Sequence, residues 1–167
     1  MKNTLLFIII CLSIACGGSK KPSSARGNGK NKKQVVKSSE NKKIDAILDY
    51  AKTFKGTRYR YAGTTKKGMD CSGLVYVSFL KEGIELPRTS RSMATRGTKV
   101  SLSKAENGDL IFFKTNKRKN TISHVGIIVD NSNPIQFIHS STSKGVIIST
   151  LEEKYWNKAF AQVRRMY

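Results

Sequence analysis

One cysteine, Cys71, stands alone in the chain after residue 16. It follows Asp70 and opens an apolar stretch that predicts a helix over residues 71–82. A helix N-terminus presents free N–H groups and a partial positive charge, which lower the pKa of a thiol and favour the nucleophilic thiolate. The alternative is a small buried cysteine that only fills the core. The polar neighbours Asp70 and Ser72 favour the nucleophile.

The chain has two histidines, His124 and His139, and each stands at an end of an apolar run. Antiparallel strands joined by a short turn would bring both imidazoles to one edge of a sheet. A thiol nucleophile needs a base within hydrogen-bond distance and a third group that orients this base, so Cys71 and the two histidines supply three such parts. Two alternatives are unrelated strand-end histidines and a zinc site of one cysteine and two histidines. The spacings of 53 and 15 residues match no local zinc motif, and we expect no metal or cofactor.

The elements that must position these side chains form a helical first half and a strand-rich second half. Apolar residues recur at helical spacing from Ile44 to Phe54, and a short polar helix is predicted over residues 90–96 after the helix that Cys71 opens. Short apolar runs between turn residues predict five strands, at residues 109–113, 124–129, 135–140, 146–150 and 161–166. Helices followed by a strand meander indicate an α+β fold in which N-terminal helices pack on an antiparallel sheet.

The N-terminal 43 residues differ in composition from the remainder. Residues 1–15 are typical of a signal peptide, because their apolar run is too short to span a bilayer. Ala15 followed by Cys16 resembles a bacterial lipobox, which implies cleavage before Cys16 and a lipid on its thiol; an ordinary secreted protein is the alternative. Residues 16–43 predict a basic disordered tether, and residues 44–167 predict one domain. We therefore expect a protein of the bacterial cell envelope, lipid-anchored to a membrane and facing the periplasm or wall.

The charge of the chain is strongly positive, at +20 from 31 basic and 11 acidic residues. Residues 44–167 alone hold 21 basic and 10 acidic residues, a net charge of +11. In a cytosolic protein this excess would favour a nucleic-acid partner, but the export signal argues against nucleic acid. An anionic membrane surface or a wall polymer rich in carboxylates is the partner that fits better.

Four motifs, in their order and spacing, resemble the NlpC/P60 family of cell-wall cysteine peptidases. They are Asp70-Cys71-Ser72-Gly73-Leu74-Val75, Asn107-Gly108-Asp109-Leu110-Ile111-Phe112-Phe113, His124-Val125-Gly126-Ile127 and Phe137-Ile138-His139-Ser140-Ser141. The resemblance extends from about residue 44 to residue 165 and implies a rearranged papain-like fold that needs no cofactor. Further segments are similar to the Spr-type lipoprotein murein endopeptidases of this family, namely Tyr59-Arg60, residues 63–68, Leu86-Pro87-Arg88 and residues 145–149.

The resemblance implies a role for each matched side chain. Cys71 is the nucleophile, His124 the general base, and His139 the residue that orients His124. Tyr59 matches the family tyrosine whose hydroxyl faces the developing oxyanion; a core tyrosine is the alternative, and Tyr61 is a nearby competitor.

Other polar residues near the motifs have less defined roles. We expect Asp70 to cap the helix that Cys71 opens and Asp109 to cap its own turn. Arg88, Arg91 and Arg96 flank the expected cleft, where they would either bind substrate carboxylates or stand in solvent; the first two are the candidate substrate-binding residues.

The function that these inferences favour is a lipid-anchored peptidoglycan endopeptidase that hydrolyses amide bonds of murein stem peptides through a Cys-His-His thiolate mechanism. The bond is a D-Ala–diaminopimelate crosslink in the Spr type, whereas the wider family often hydrolyses the γ-D-glutamyl–diaminoacid bond. Alternatives are an acyltransferase or amidase with the same thiolate chemistry, a non-catalytic wall-binding lipoprotein and, least favoured, a nucleic-acid binder. We expect a monomer.

Overall fold

The computed structural model describes residues 29–116 and 118–167, with side chains from residue 36 onward. Within these residues the helices are α1 (Gly29–Lys52), α2 (Cys71–Leu80), α3 (Ser90–Met93) and α4 (Lys154–Ala159), with a 3-10 turn at Leu102–Lys104. The strands are β1 (Thr64–Thr65), β2 (Gly68–Met69), β3 (Thr98–Val100), β4 (Leu110–Phe113), β5 (His124–Asp130), β6 (Gln136–Ser141), β7 (Gly145–Thr150) and β8 (Phe160–Arg165). The signal segment and Cys16 lie outside the described residues.

Six strands form one antiparallel sheet in the order β3-β8-β4-β5-β6-β7. The meander expected from the sequence is confirmed for β4 to β7, where each strand pairs with the next. β8 instead returns from the C-terminal end and lies between β3 and β4. The sequence did not predict β3, because this strand is short and largely exposed and therefore has no apolar run.

The two faces of the sheet carry separate cores, which the alternation of side chains along β4 produces. Leu110 and Phe112 face the larger core, which contains the apolar residues of α1 and α2. Ile111 and Phe113 face the smaller core, which contains Trp156 of α4. The helices that precede the sheet therefore cover one face, as predicted, and α4, which was not predicted, covers part of the other.

The first helix corrects one expectation. The sequence predicts a disordered tether through residue 43, but α1 already begins at Gly29. Six of residues 30–43 are lysine, which has good intrinsic helix propensity. The buried turns from Ile44 to Ala51 provide the nucleus, and extending an existing helix avoids the cost of nucleation. Low hydrophobicity alone therefore gave the wrong prediction for this segment.

The C-terminal strand is fixed to the start of β4 by a buried carboxylate. Asp109 is fully buried, and its Oδ2 accepts the backbone N–H of Glu106 at 2.8 Å, which confirms the predicted turn cap. Nε of Arg165 donates to Oδ1 at 2.8 Å, and Nη2 donates to Oδ2 at 2.9 Å.

Among the helices in the described part of the chain, none has the length and apolar character that a membrane span requires.

Candidate active site

The nucleophile helix α2 begins at Cys71 because Asp70 caps it. Oδ1 of Asp70 accepts the backbone N–H of Gly73 at 2.6 Å, the capping bond expected from the sequence. The other oxygen, Oδ2, accepts the backbone N–H of Ala62 at 2.8 Å. One carboxylate therefore holds both the first turn of α2 and the loop before it. Gly73 has no space for a Cβ, which would collide with the carbonyl oxygen of Gly63.

Arg88 completes this arrangement from a distant part of the chain. Its Nη1 and Nη2 each donate to one oxygen of Asp70, both at 3.0 Å. The same guanidinium also donates to Oγ of Ser72 at 3.0 Å and to the carbonyl of Gly63 at 3.3 Å. These bonds give Arg88 a positioning role at the nucleophile turn, and its contact with substrate carboxylates stays a prediction.

The Cys71 thiol lies beside the backbone N–H of Val125, the residue that follows His124 in β5. Burial raises the pKa of this thiol above its ordinary value, and the Asp70 charge adds to the rise. Hydrogen bonds from the backbone N–H groups of Val125, Ser72 and Cys71 lower the pKa, but burial outweighs them. The lowered thiol pKa that the helix start predicted is therefore wrong: the helix start stabilises the anion, and burial destabilises it more.

The two histidines form a hydrogen-bonded pair across β5 and β6. Nε2 of His124 lies 3.0 Å from Nδ1 of His139, and Nε2 of His139 lies 3.2 Å from Oγ of Ser149 on β7. Antiparallel pairing of β5 with β6 produces this meeting, as the positions of the histidines in the sequence led us to expect. Ser149 was missed, because a serine in a strand gives no signal before its neighbour is known.

Burial keeps both imidazoles neutral. It lowers the pKa of His124 to about 3, with the nearby His139 contributing further, and it lowers the pKa of His139 to about 4. The carboxylate of Glu153 opposes the shift at His139. A neutral imidazole is the form that accepts a proton, so His124 is available as a base at neutral pH.

Aromatic rings enclose the histidine pair on the sheet face opposite α1 and α2. Trp156 of α4 stacks on His124 with ring centroids 5.1 Å apart and meets His139 edge-on at 4.6 Å. Phe137 packs beside His139 at 5.1 Å. Trp156 is the only tryptophan of the chain, which is the signal that sequence reasoning left unused. A groove of about 360 Å³ whose lining includes His124, Ser149 and Trp156 opens here, and we name it the histidine groove.

Of the two candidate tyrosines, Tyr59 is the one near the thiol. The pKa of its hydroxyl is raised by burial first and then by the charges of Cys71 and Asp70, which places it within electrostatic reach of both. Its backbone also bridges to Met69 beside the nucleophile turn. Tyr61 is 84% exposed. A hydroxyl that stays protonated beside the thiol can donate a hydrogen bond to an oxyanion, so the geometry favours Tyr59 over Tyr61.

The remaining predicted residues lie outside this cluster. Arg91 is exposed and donates to Oγ1 of Thr121 at 3.3 Å, so its contact with substrate stays a prediction. Arg96 is exposed as well, and its carbonyl accepts a bond from Arg164. Within residues 36–116 and 118–167, no group of three or more histidine, cysteine, aspartate or glutamate side chains is placed to hold a metal ion.

Comparison with known proteins agrees with this architecture. Residues 56–165 match the NlpC/P60 family. Over 121 residues the chain is 45% identical to the murein DD-endopeptidase MepS/murein LD-carboxypeptidase of Escherichia coli K12, a match that covers 72% of this chain and 61% of that relative. It is 44% identical over 124 residues to the probable endopeptidase NlpC of the same strain, which covers 74% of this chain and 78% of NlpC.

A solved structure of an NlpC/P60 family protein also matches this chain. The crystal structure of an NlpC/P60 family protein from Bacillus cereus ATCC 10987 matches with a TM-score of 0.67 and 31% identity, over 73% of this chain and 39% of that chain. The present chain spans about three fifths of the length of MepS. The family resemblance and the α+β fold expected from the sequence are thus confirmed, and the chain belongs to the NlpC/P60 family.

Proposed function

We propose that this chain is a peptidoglycan endopeptidase that hydrolyses amide bonds of murein stem peptides with Cys71 as nucleophile. The observations that carry the proposal are the Cys71 thiol at a capped helix start, beside the backbone of Val125 in β5, and the neutral hydrogen-bonded pair of His124, which precedes Val125, and His139. The identity of 45% with a murein DD-endopeptidase supplies the substrate class. The same thiolate chemistry could serve other acyl transfers, but the relatives favour peptidoglycan.

Acylation begins with proton transfer from the Cys71 thiol to His124. Nε2 of His124 contacts His139, which leaves Nδ1 as the nitrogen that takes the proton. His139 accepts from the Nε2–H of His124 at its Nδ1 and donates from its own Nε2 to Ser149, a tautomer that orients the base. The sulfur then forms a bond to the carbonyl carbon, and the carbonyl π electrons move to oxygen.

The oxyanion that forms needs donors that are already in place. The backbone N–H groups that bond the Cys71 thiol at the start of α2, and the Tyr59 hydroxyl within electrostatic reach of it, are suited to this position. Protonated His124 gives its proton to the leaving amine as the C–N bond breaks, which leaves a thioester on Cys71. Water then attacks the thioester, His124 takes the water proton, and the thiol leaves with that proton restored.

The bond that the enzyme cleaves follows from the relatives and not from the site itself. The name of MepS points to a D,D crosslink and also to an L,D-carboxypeptidase activity. We therefore propose the D-Ala–diaminopimelate crosslink as the target, with the γ-D-glutamyl–diaminoacid bond as the alternative. We further propose the signal peptide at residues 1–15, lipidation at Cys16, a place in the cell envelope and a monomeric state, which the N-terminal sequence and composition support.

The proposal is tested with the full chain and its Cys71→Ala and Cys71→Ser variants on purified peptidoglycan, with released muropeptides identified by mass spectrometry. We expect the wild type to convert crosslinked dimers to tetrapeptide monomers and both variants to lose at least about a thousandfold in rate, because oxygen or a methyl group cannot replace the thiol. Dipeptide stems would indicate the γ-D-glutamyl bond, and tripeptide stems a carboxypeptidase. Equal activity of the wild type and both variants would disprove the mechanism.

A further inference from the structure

A second groove adjoins the histidine groove, between the loop that joins β4 to β5 and helix α4. It has a volume of about 850 Å³, and we name it the lysine groove because its lining includes Lys114, Lys119, Lys154 and Lys158. All four lysines are exposed. Two elements that are distant in sequence therefore contribute positive charges to the same depression.

The lysine groove is continuous with the histidine groove. Thr115 and Tyr155 line both grooves. The ring of Tyr155 packs edge-on against Trp156 with centroids 4.8 Å apart, and Trp156 in turn stacks on His124. A single extended ligand that contacts the histidine groove can therefore continue past the exposed ring of Tyr155 into the lysine groove.

The charges in the lysine groove are not neutralised by the described part of the protein. Its described lining contains no aspartate or glutamate, and none of its four lysines takes part in an ion pair among the described residues. Lys114 donates to Oδ1 of Asn120 at 2.8 Å, which is a neutral partner. The nearby Glu153 lines the histidine groove instead, where its carboxylate accepts the backbone N–H of Thr150.

We propose that the lysine groove is a subsite for the carboxylates of a peptidoglycan stem peptide, and that it holds the part of the substrate that lies beyond the cleaved bond. This inference rests on the proposed function. Lysine ammonium groups on flexible stems attract carboxylates without demanding one geometry, which suits a substrate whose carboxylates are spread along a peptide. The exposed face of Tyr155 offers an apolar surface for the peptide between them.

Binding is measured separately from turnover by using the full chain with Cys71→Ala. The probe is a purified crosslinked muropeptide dimer with free carboxylates, titrated by calorimetry. The groove variant carries Lys119→Gln, Lys154→Gln and Lys158→Gln in addition. We expect its Kd to rise by about tenfold, because three attractive charges at exposed positions are lost. A dimer with amidated carboxylates should bind both proteins equally weakly.

The matched control removes three exposed lysines elsewhere, with Lys42→Gln, Lys55→Gln and Lys66→Gln. It has the same net charge as the groove variant, so an unchanged Kd in the control assigns the loss to the groove and not to the overall charge. Equal losses in both variants would overturn the proposal. Groove-dependent binding of a glycerol phosphate polymer without binding of the muropeptide would also overturn it, since the ligand would then be another anion.

Steady-state kinetics with intact Cys71 provide a second readout. Lysines that only hold the substrate should raise KM by about tenfold and leave kcat within about twofold, as expected for uniform binding of ground and transition states. A fall in kcat with an unchanged KM would contradict the subsite. If the wild type binds the dimer through the groove but hydrolyses nothing, the proposed function fails while the subsite stands.

Discussion

Asp70 and Arg88 hold the turn that presents Cys71. Asp70 caps α2, holds the preceding loop and receives both arms of Arg88. The adjacent Cys71 backbone fixes the direction from which sulfur attacks, so a displacement of this turn by a fraction of an ångström would misalign nucleophile and base. In the proposed mechanism, the ion pair therefore serves catalysis by positioning Cys71.

The variant Arg88→Lys tests the positioning role, because it keeps the positive charge but loses the planar guanidinium that donates to both oxygens of Asp70. We expect kcat to fall by about tenfold with little change in KM, because the nucleophile turn loosens while substrate contacts remain. The unfolding free energy should fall by about 1–2 kcal/mol, a modest loss because Arg88 is one third exposed. Kinetics and urea unfolding measure the two effects. Arg60→Lys, at an exposed position, serves as the control, and an equal loss there would refute the positioning role.

Helix α4 acts as a lid on the histidine pair, although it has only six residues. It delivers Trp156 to the sheet face where His124 and His139 project, and the indole covers both imidazoles. This cover contributes to the burial that lowers both histidine pKa values. The short helix thus helps to keep His124, the proposed base, neutral.

Trp156→Phe tests this role. The smaller ring admits water, so the pKa of His124 should move up from about 3 toward its ordinary value near 6.5. With a higher pKa, more of His124 is protonated at pH 5 and less of it can act as a base. The ratio of kcat/KM at pH 5 to kcat/KM at pH 7 should therefore be lower in the variant than in the wild type. The measurement is a pH–rate profile from pH 4 to pH 9. Phe79→Leu, which removes volume from the core on the other face of the sheet, serves as the control. It should destabilise the protein without changing the acid side of the pH–rate profile.

The elements also show which parts of the site the sequence could predict. Cys71, His124 and His139 could be proposed from the sequence because a helix start, two strand ends and the family motifs around them are local patterns that do not depend on knowledge of the fold. The ion pair of Arg88 and the cover by Trp156 were missed because their partners lie 18 and at least 17 residues away, and only the fold brings these residues together. The thiol pKa was wrong for a related reason: the helix start is local, whereas burial depends on the whole packing.

At the scale of the whole molecule, two buried neutral histidines make stability depend on pH. In the unfolded chain each histidine takes up a proton near pH 6.5, but in the folded protein His139 does so near pH 4 and His124 near pH 3. Between these values the unfolded state binds more protons, so protonation favours unfolding as the pH falls. The stabilisation is fully present above pH 6.5 and is lost progressively toward pH 4.

Urea unfolding at pH 7, 6, 5 and 4.5 should therefore show the unfolding free energy falling with pH, by about 1.4 kcal/mol per pH unit for each proton that only the unfolded chain binds. The double variant His124→Gln, His139→Gln removes both titrating groups, so its slope between pH 6.5 and pH 4.5 should be nearly flat. The same slope in wild type and variant would show that other groups control the acid response.

The raised pKa of Cys71 has a consequence for the durability of the protein. Peroxide oxidises thiolates far faster than thiols, and the resting sulfur is kept as a thiol by its surroundings. In the proposed mechanism, Cys71 becomes an anion only when His124 takes its proton, at the moment when a carbonyl carbon is present to be attacked. A sulfur that stays protonated between turnovers resists oxidation to sulfenic acid. A slow reaction of Cys71 with iodoacetamide would then reflect protection of the nucleophile and not its absence.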